Sequence, residues 1–100
     1  MYRHISIFTL KNKNEINRLV ELLNEVGKCT FIVNNHIGLN ITDNPNDGKG
    51  PDFGDVIQMI DFATQEDLDA YPHSKEHLKL FHEGPEMIKV TAIDYQIDNL

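Results

Sequence analysis

Phe62-Ala-Thr-Gln-Glu-Asp-Leu-Asp-Ala-Tyr71-Pro-His-Ser-Lys-Glu-His77 is a strand end followed by two helical starts, and it decides how the rest of the chain is read. Thr64 reads as an N-cap with Asp67 at the third helical position, a short-armed capping box. Pro72 biases Tyr71 out of the helical region and ends the first helix, after which Ser74 restarts the pattern. The break sets a phenol, Tyr71, and an imidazole, His77, on either side of a corner, at a separation that can point both into one hollow.

Upstream of that corner, residues 55–62 are apolar at nearly every position except Gln58 and Asp61, which predicts a strand buried on both faces. Residues 2–10 alternate, with Tyr2, His4, Ser6, Phe8 and Leu10 on one side and Arg3, Ile5, Ile7 and Thr9 on the other. Both sides carry apolar groups, so this strand too calls for cover on each face. Between the two strands, residues 15–26 place Ile16, Leu19, Val20, Leu22, Leu23 and Val26 at helical spacing, with Asn14 as the expected cap. Gly27 is expected just past the helix in a left-handed conformation.

Residues 29–41 read as a second strand, irregular around Asn34-Asn-His-Ile-Gly38, with His36 facing solvent and Cys29 a small core filler. Residues 42–55 are dense in turn signals and predict a surface loop, with a lid as the alternative reading. Beyond Ser74, a helix with His77, Leu78 and Phe81 on one face is stopped by Gly84-Pro85. A fourth strand then occupies residues 87–95, and residues 96–100 form a frayed tail or a reaching arm.

A chain of 100 residues predicts a single domain, 1–100, small enough that burial in an oligomer would help it. A formal charge of −7 with scattered Lys and Arg disfavours nucleic acid and anionic lipid as partners. No apolar run approaches the ~20 residues of a membrane span, and the amino end is too polar for an export signal, so a cytoplasmic protein is expected. The lone Cys29 excludes an internal disulfide. His73 and His77 stand four apart, but Ser74 leaves His73 outside the helix and no third ligand is evident, so neither a metal nor a cofactor is expected.

Strand, helix, strand, strand, broken helix, strand is the split β-α-β order of a ferredoxin-like α+β domain. Its sheet has one face under helices. The economical cover for the other is the same face of a second copy, which predicts a homodimer.

Four pieces in order, Arg3-His-Ile-x-Ile7-Phe8, the strand ending at Phe62, Glu66-Asp-Leu-x-x-Tyr71-x-His73-x-x-x-His77 and Ile93-Asp-Tyr95, resemble the stress-responsive A/B barrel (Dabb) domain. The resemblance spans nearly the whole chain and implies a dimeric α+β barrel. Plant polyketide cyclases of that fold use a Tyr and a His for aldol-type ring closure, roles that would fall on Tyr71 and His77, with His4 matching a further pocket histidine. The chain departs from those cyclases at Val56, where they carry a histidine. It departs again at Ser74-Lys-Glu76, where the family usually has His-Pro before the final histidine.

His77 in the first turn of its helix should have its pKa lowered by the helix dipole, which suits a general base. A tyrosine hydroxyl within reach could stabilise an enolate oxygen. The alternative is that Tyr71 and His77 only brace the corner. Three readings follow: a homodimeric barrel binding a small organic molecule through His4, Tyr71 and His77; a cofactor-independent enzyme, cyclase-like or monooxygenase-like, with Tyr71 and His77 catalytic; and a non-catalytic interaction module.

Overall fold

The computed structural model describes residues 1–41 and 54–97. Strands β1 (Tyr2–Leu10), β2 (Asn34–Leu39), β3 (Val56–Phe62) and β4 (Met87–Gln96) form one antiparallel sheet in the order β2-β3-β1-β4. Helices α1 (Ile16–Val26), α2 (Gln65–Ala70) and α3 (Lys75–Glu83) connect them. This is the ferredoxin-like α+β arrangement expected from the element order.

The alternation of β1 sorts the sheet into two faces. Phe8, Leu10 and Val56 are buried with Leu19 and Leu23 of α1, and Ile60 and Phe62 are buried with Val26 and Tyr71. Each such side chain contributes roughly 1.5–3 kcal/mol by leaving water. The opposite face carries Ile5 and Ile7, paired across to Met59, Ile57 and Ile93. None of the described residues lies over it, and Ile93 and Tyr95 remain 48% and 47% exposed. At one end of this face Arg3 Nε and Nη2 donate to the two oxygens of buried Asp61 at 2.7 and 3.1 Å, and Asn34 Nδ2 donates to the same carboxylate at 3.2 Å.

Several local expectations are corrected. Asn12, not Asn14, caps the entry to α1, its side chain accepting from the Asn14 N–H at 2.9 Å over a single 3-10 turn. Gly27 is right-handed (φ −60°, ψ −12°). Its need for glycine is spatial, because a Cβ there would lie 2.8 Å from Asn35 Nδ2, an atom already donating to the Leu23 carbonyl at 3.0 Å.

Strand β2 begins at Asn34 rather than at residue 29, and residues 34–38 pair with β3 in unbroken register. The apolar residues before it fold as turns that pack Phe31 and Ile32 onto the core. Asn35 keeps a regular strand with its amide bonded at both ends, donating to Leu23 and accepting from Gln58 Nε2 at 2.9 Å. His36 is exposed and Cys29 is buried as a free thiol. The 42–55 loop lies, apart from Gly54 and Asp55, outside the described residues, as do residues 98–100 of the tail.

Candidate functional site

The corner is built by two side-chain caps. Thr64 Oγ1 accepts from the Asp67 N–H at 3.1 Å to open α2, and Ser74 Oγ accepts from the His77 N–H at 3.1 Å to open α3. Between them, Tyr71 does not leave the helical region: its φ and ψ are −52° and −45°, and a 3-10 turn, Tyr71–His73, prolongs the helix past Pro72. Proline is tolerated there because the Tyr71 N–H bonds the Leu68 carbonyl that an N–H at position 72 would otherwise have served. The break falls at Ser74, in extended conformation.

The corner brings four aromatic rings together. Tyr71, 2% exposed, packs its ring edge-on to His77 with centroids 5.0 Å apart, and against His4 and Phe62 at 5.7 and 5.5 Å. Burial raises the Tyr71 pKa far above its ordinary value, with Cys29 and Glu76 adding to the effect, so the phenol stays protonated and is a hydrogen-bond donor. The His77 pKa is lowered, foremost by burial. The Pro72 carbonyl opposes that shift, and repulsion from His4 and His73 reinforces it. The direction is the one expected from sequence, but the main cause is loss of water rather than the helix dipole. His77 Nδ1 is buried with no hydrogen-bond partner.

His4 is held differently. Its Nδ1 lies 2.6 Å from Asp94 Oδ1 and its Nε2 lies 2.9 Å from Ser6 Oγ. Sequence reasoning did not single out Ser6 or Asp94. The signal was present, since Ser6 shares a strand side with His4, but only the pairing of β1 with β4 sets Asp94 opposite His4.

A pocket of about 260 Å³ opens between α3 and the sheet, lined by Phe8, His77, Leu80, Phe81, Met87 and Val90. Of the three residues expected to line a common hollow, His77 alone lines this one, while His4 and Tyr71 join it through ring contact. The inward side of α3 also differs from expectation. Leu80 reaches both core clusters, whereas Leu78 and Phe81 are exposed, Phe81 at the pocket. Val56 is a core residue, so the departure at that position replaces a polar group by packing. His73 is exposed, and among the described residues no three His, Cys, Asp or Glu side chains converge as metal ligands. No described helix is long and apolar enough to cross a membrane.

A four-stranded antiparallel sheet with helices on one face and an ionisable corner beside an apolar pocket defines a ferredoxin-like domain of the A/B barrel class. The chain belongs to the Stress responsive A/B Barrel Domain (Dabb) family, whose sequence pattern matches residues 2–97. It is similar to a Dabb family protein with a ferredoxin-like fold from Mesorhizobium loti (22% identity, 95% of this chain and 94% of that one, TM-score 0.73). It is also similar to a dimeric ferredoxin-like protein of unknown function from Thermobifida fusca (15% identity, 96% and 90%, TM-score 0.76). A third similar structure is hydroxynitrile lyase from Passiflora edulis (16% identity, 99% and 94%, TM-score 0.78). No curated protein matches the chain.

Proposed function

We propose that the protein is a single-domain homodimer that binds a small organic molecule in the pocket between α3 and the sheet. The observation that carries this reading is the pocket's make-up: five apolar walls and one ionisable group, the half-buried His77. At about 260 Å³ the pocket sits near the ~300 Å³ lower end of small-molecule sites and suits a compact apolar ligand with one polar end. Dimerisation is supported by the apolar sheet face that no described residue covers and by the Thermobifida relative, which is described as dimeric.

The test is ligand-observed NMR and thermal shift with small β-diketones and hydroxyquinones. His77→Ala should weaken binding at least ~10-fold, the value of roughly one hydrogen bond to a buried group. Binding that is absent, or indifferent to His77, overturns the reading and favours the interaction module.

A second reading, a cofactor-independent enzyme acting on an activated carbonyl compound, is favoured by the edge-on contact of Tyr71 with His77. A neutral imidazole accepts a proton from a carbon acid, and a neutral phenol donates to the oxygen on which charge develops. Unchanged turnover in Tyr71→Phe and His77→Ala would remove that pair as catalytic residues.

A further inference from the structure

The side of β4 that faces the helices is left open. Its residues Val90, Ala92 and Asp94 stand opposite Phe8, Ser6 and His4 of β1, and all three are exposed although α3 rises beside them. The result is an open strip along β4, with Ser6 of β1 at its edge and itself only 5% exposed. At one end Phe8 and Val90 belong to the apolar pocket. Two residues further along, a step of roughly 7 Å, stands Ser6, and beyond it the linked pair His4 and Asp94.

Asp94, His4 and Ser6 form a carboxylate, imidazole and hydroxyl in series, at 2.6 and 2.9 Å. An ionised carboxylate only accepts, so a neutral His4 facing it carries its proton on Nδ1. That leaves the Nε2 lone pair directed at Ser6, whose hydroxyl donates to it. The Tyr71 ring packed on His4 restrains the imidazole in this setting. Serine, base and orienting acid in this order are the arrangement that activates a hydroxyl nucleophile, and it is recognised by geometry rather than by chain order.

We propose that Ser6 is an acylatable nucleophile, served by His4 and oriented by Asp94, and that small activated acyl esters reach it across the exposed side of β4. Ser6 Oγ bonds to the carbonyl carbon as His4 Nε2 takes the hydroxyl proton, and the carbonyl π pair moves onto oxygen. When that pair returns, the C–O bond to the alcohol breaks and the departing alkoxide recovers the proton from His4. Water then hydrolyses the acyl-Ser6 ester by the same two proton transfers, releasing the carboxylic acid. Asp94 touches neither substrate nor hydroxyl and is a positioning residue. The proposal rests on the pocket reading only for seating an apolar acyl chain; the chemistry at Ser6 stands without it.

The test is labelling with a small alkyl fluorophosphonate, followed by intact mass and peptide mapping, together with turnover of p-nitrophenyl acetate and hexanoate. One phosphonyl adduct, with loss of fluoride, is expected on Ser6. Ser6→Ala should abolish it, Asp94→Asn should slow it on the order of 100-fold by releasing the Nδ1 proton, and His82→Ala should leave it unchanged. No adduct, an adduct on another residue, or a rate indifferent to Asp94→Asn overturns the proposal. Equal rates on acetate and hexanoate with Ser6 still labelled would instead count against the pocket as the seat of the acyl chain and leave the nucleophile standing. Near-unchanged circular dichroism and melting of Ser6→Ala and Asp94→Asn separate loss of chemistry from loss of fold.

Discussion

The two faces of the sheet are dressed by the same alternating strands and end in different conditions. Under the helices, Leu10, Ile60 and Phe62 are wholly removed from water by the chain's own elements. On the other face Ile5, Ile7, Ile57 and Met59 are half-buried, Ile93 and Tyr95 are about half exposed, and the described residues supply no cover. The difference teaches that apolar patterning records what must be buried, not what buries it. One face is completed within the chain; the other is an apolar surface framed by the Arg3–Asp61 ion pair, and it is the face the proposed homodimer would bury.

The comparison is broken most severely from the covered side. Phe62→Ala should cost about 3–5 kcal/mol, through lost transfer energy and the cavity left beside Tyr71 and Phe31, and denaturant melts should show it. Ile93→Lys on the open face should instead weaken self-association by on the order of 100-fold, or ~2.7 kcal/mol, with sedimentation showing monomers that keep native circular dichroism. If Ile93→Lys unfolded the chain as Phe62→Ala does, the open face would be part of the subunit's own core and the distinction would fail.

Titration sharpens the contrast, because each face holds an acid-sensitive group among its buried or half-buried residues. The Arg3 guanidinium holds the Asp61 pKa below its ordinary 3.8, with Asn34 helping. Burial holds the His77 pKa below 6.5. In both cases the unfolded chain binds more protons than the folded one between the two pKa values, so stability rises with pH. The windows separate the faces: the His77 contribution is complete above 6.5 and is lost as pH falls through its lowered pKa, whereas the Asp61 contribution persists until pH drops below 3.8. His77→Gln should flatten the upper limb of an acid-unfolding profile and Asp61→Asn the lower limb. A single limb surviving both changes would mean that other groups govern acid unfolding.

How much of this was legible in the sequence follows range. The caps Thr64 and Ser74 act within three residues, and both were readable. The meeting of Tyr71 with His77 was readable for the same reason, although Pro72 acts inside a 3-10 turn rather than as a terminator. The relay of His4 with Asp94 spans β1 and β4, and no local pattern carries the register that aligns them. Residues 29–33 misled because an apolar run without long periodicity looks like a strand, while Phe31 and Ile32 satisfy it as a turn packed on the core. Asn35 misled in the opposite sense: two asparagines and a glycine resemble a bend until the amide is seen spanning Leu23 and Gln58.

That amide gives the smallest expected effect. Gly27→Ala would ordinarily favour the end of α1 by up to ~1 kcal/mol, since the backbone there is right-handed and alanine is the better helix former. Here the new methyl would meet Asn35 Nδ2 at 2.8 Å and push it off the Leu23 carbonyl, leaving that buried acceptor the long 3.5 Å contact from Gln58 Nε2, at a cost of about 1–3 kcal/mol. The net should be a modest destabilisation, readable as a fall in melting temperature. Gly27→Ala combined with Asn35→Ala should remove much of the conflict and recover part of the loss, because the crowding amide is then absent. Gly27→Ala alone raising the melting temperature would show that Asn35 yields freely, and the covered face would then be less tightly specified at this edge than its packing implies.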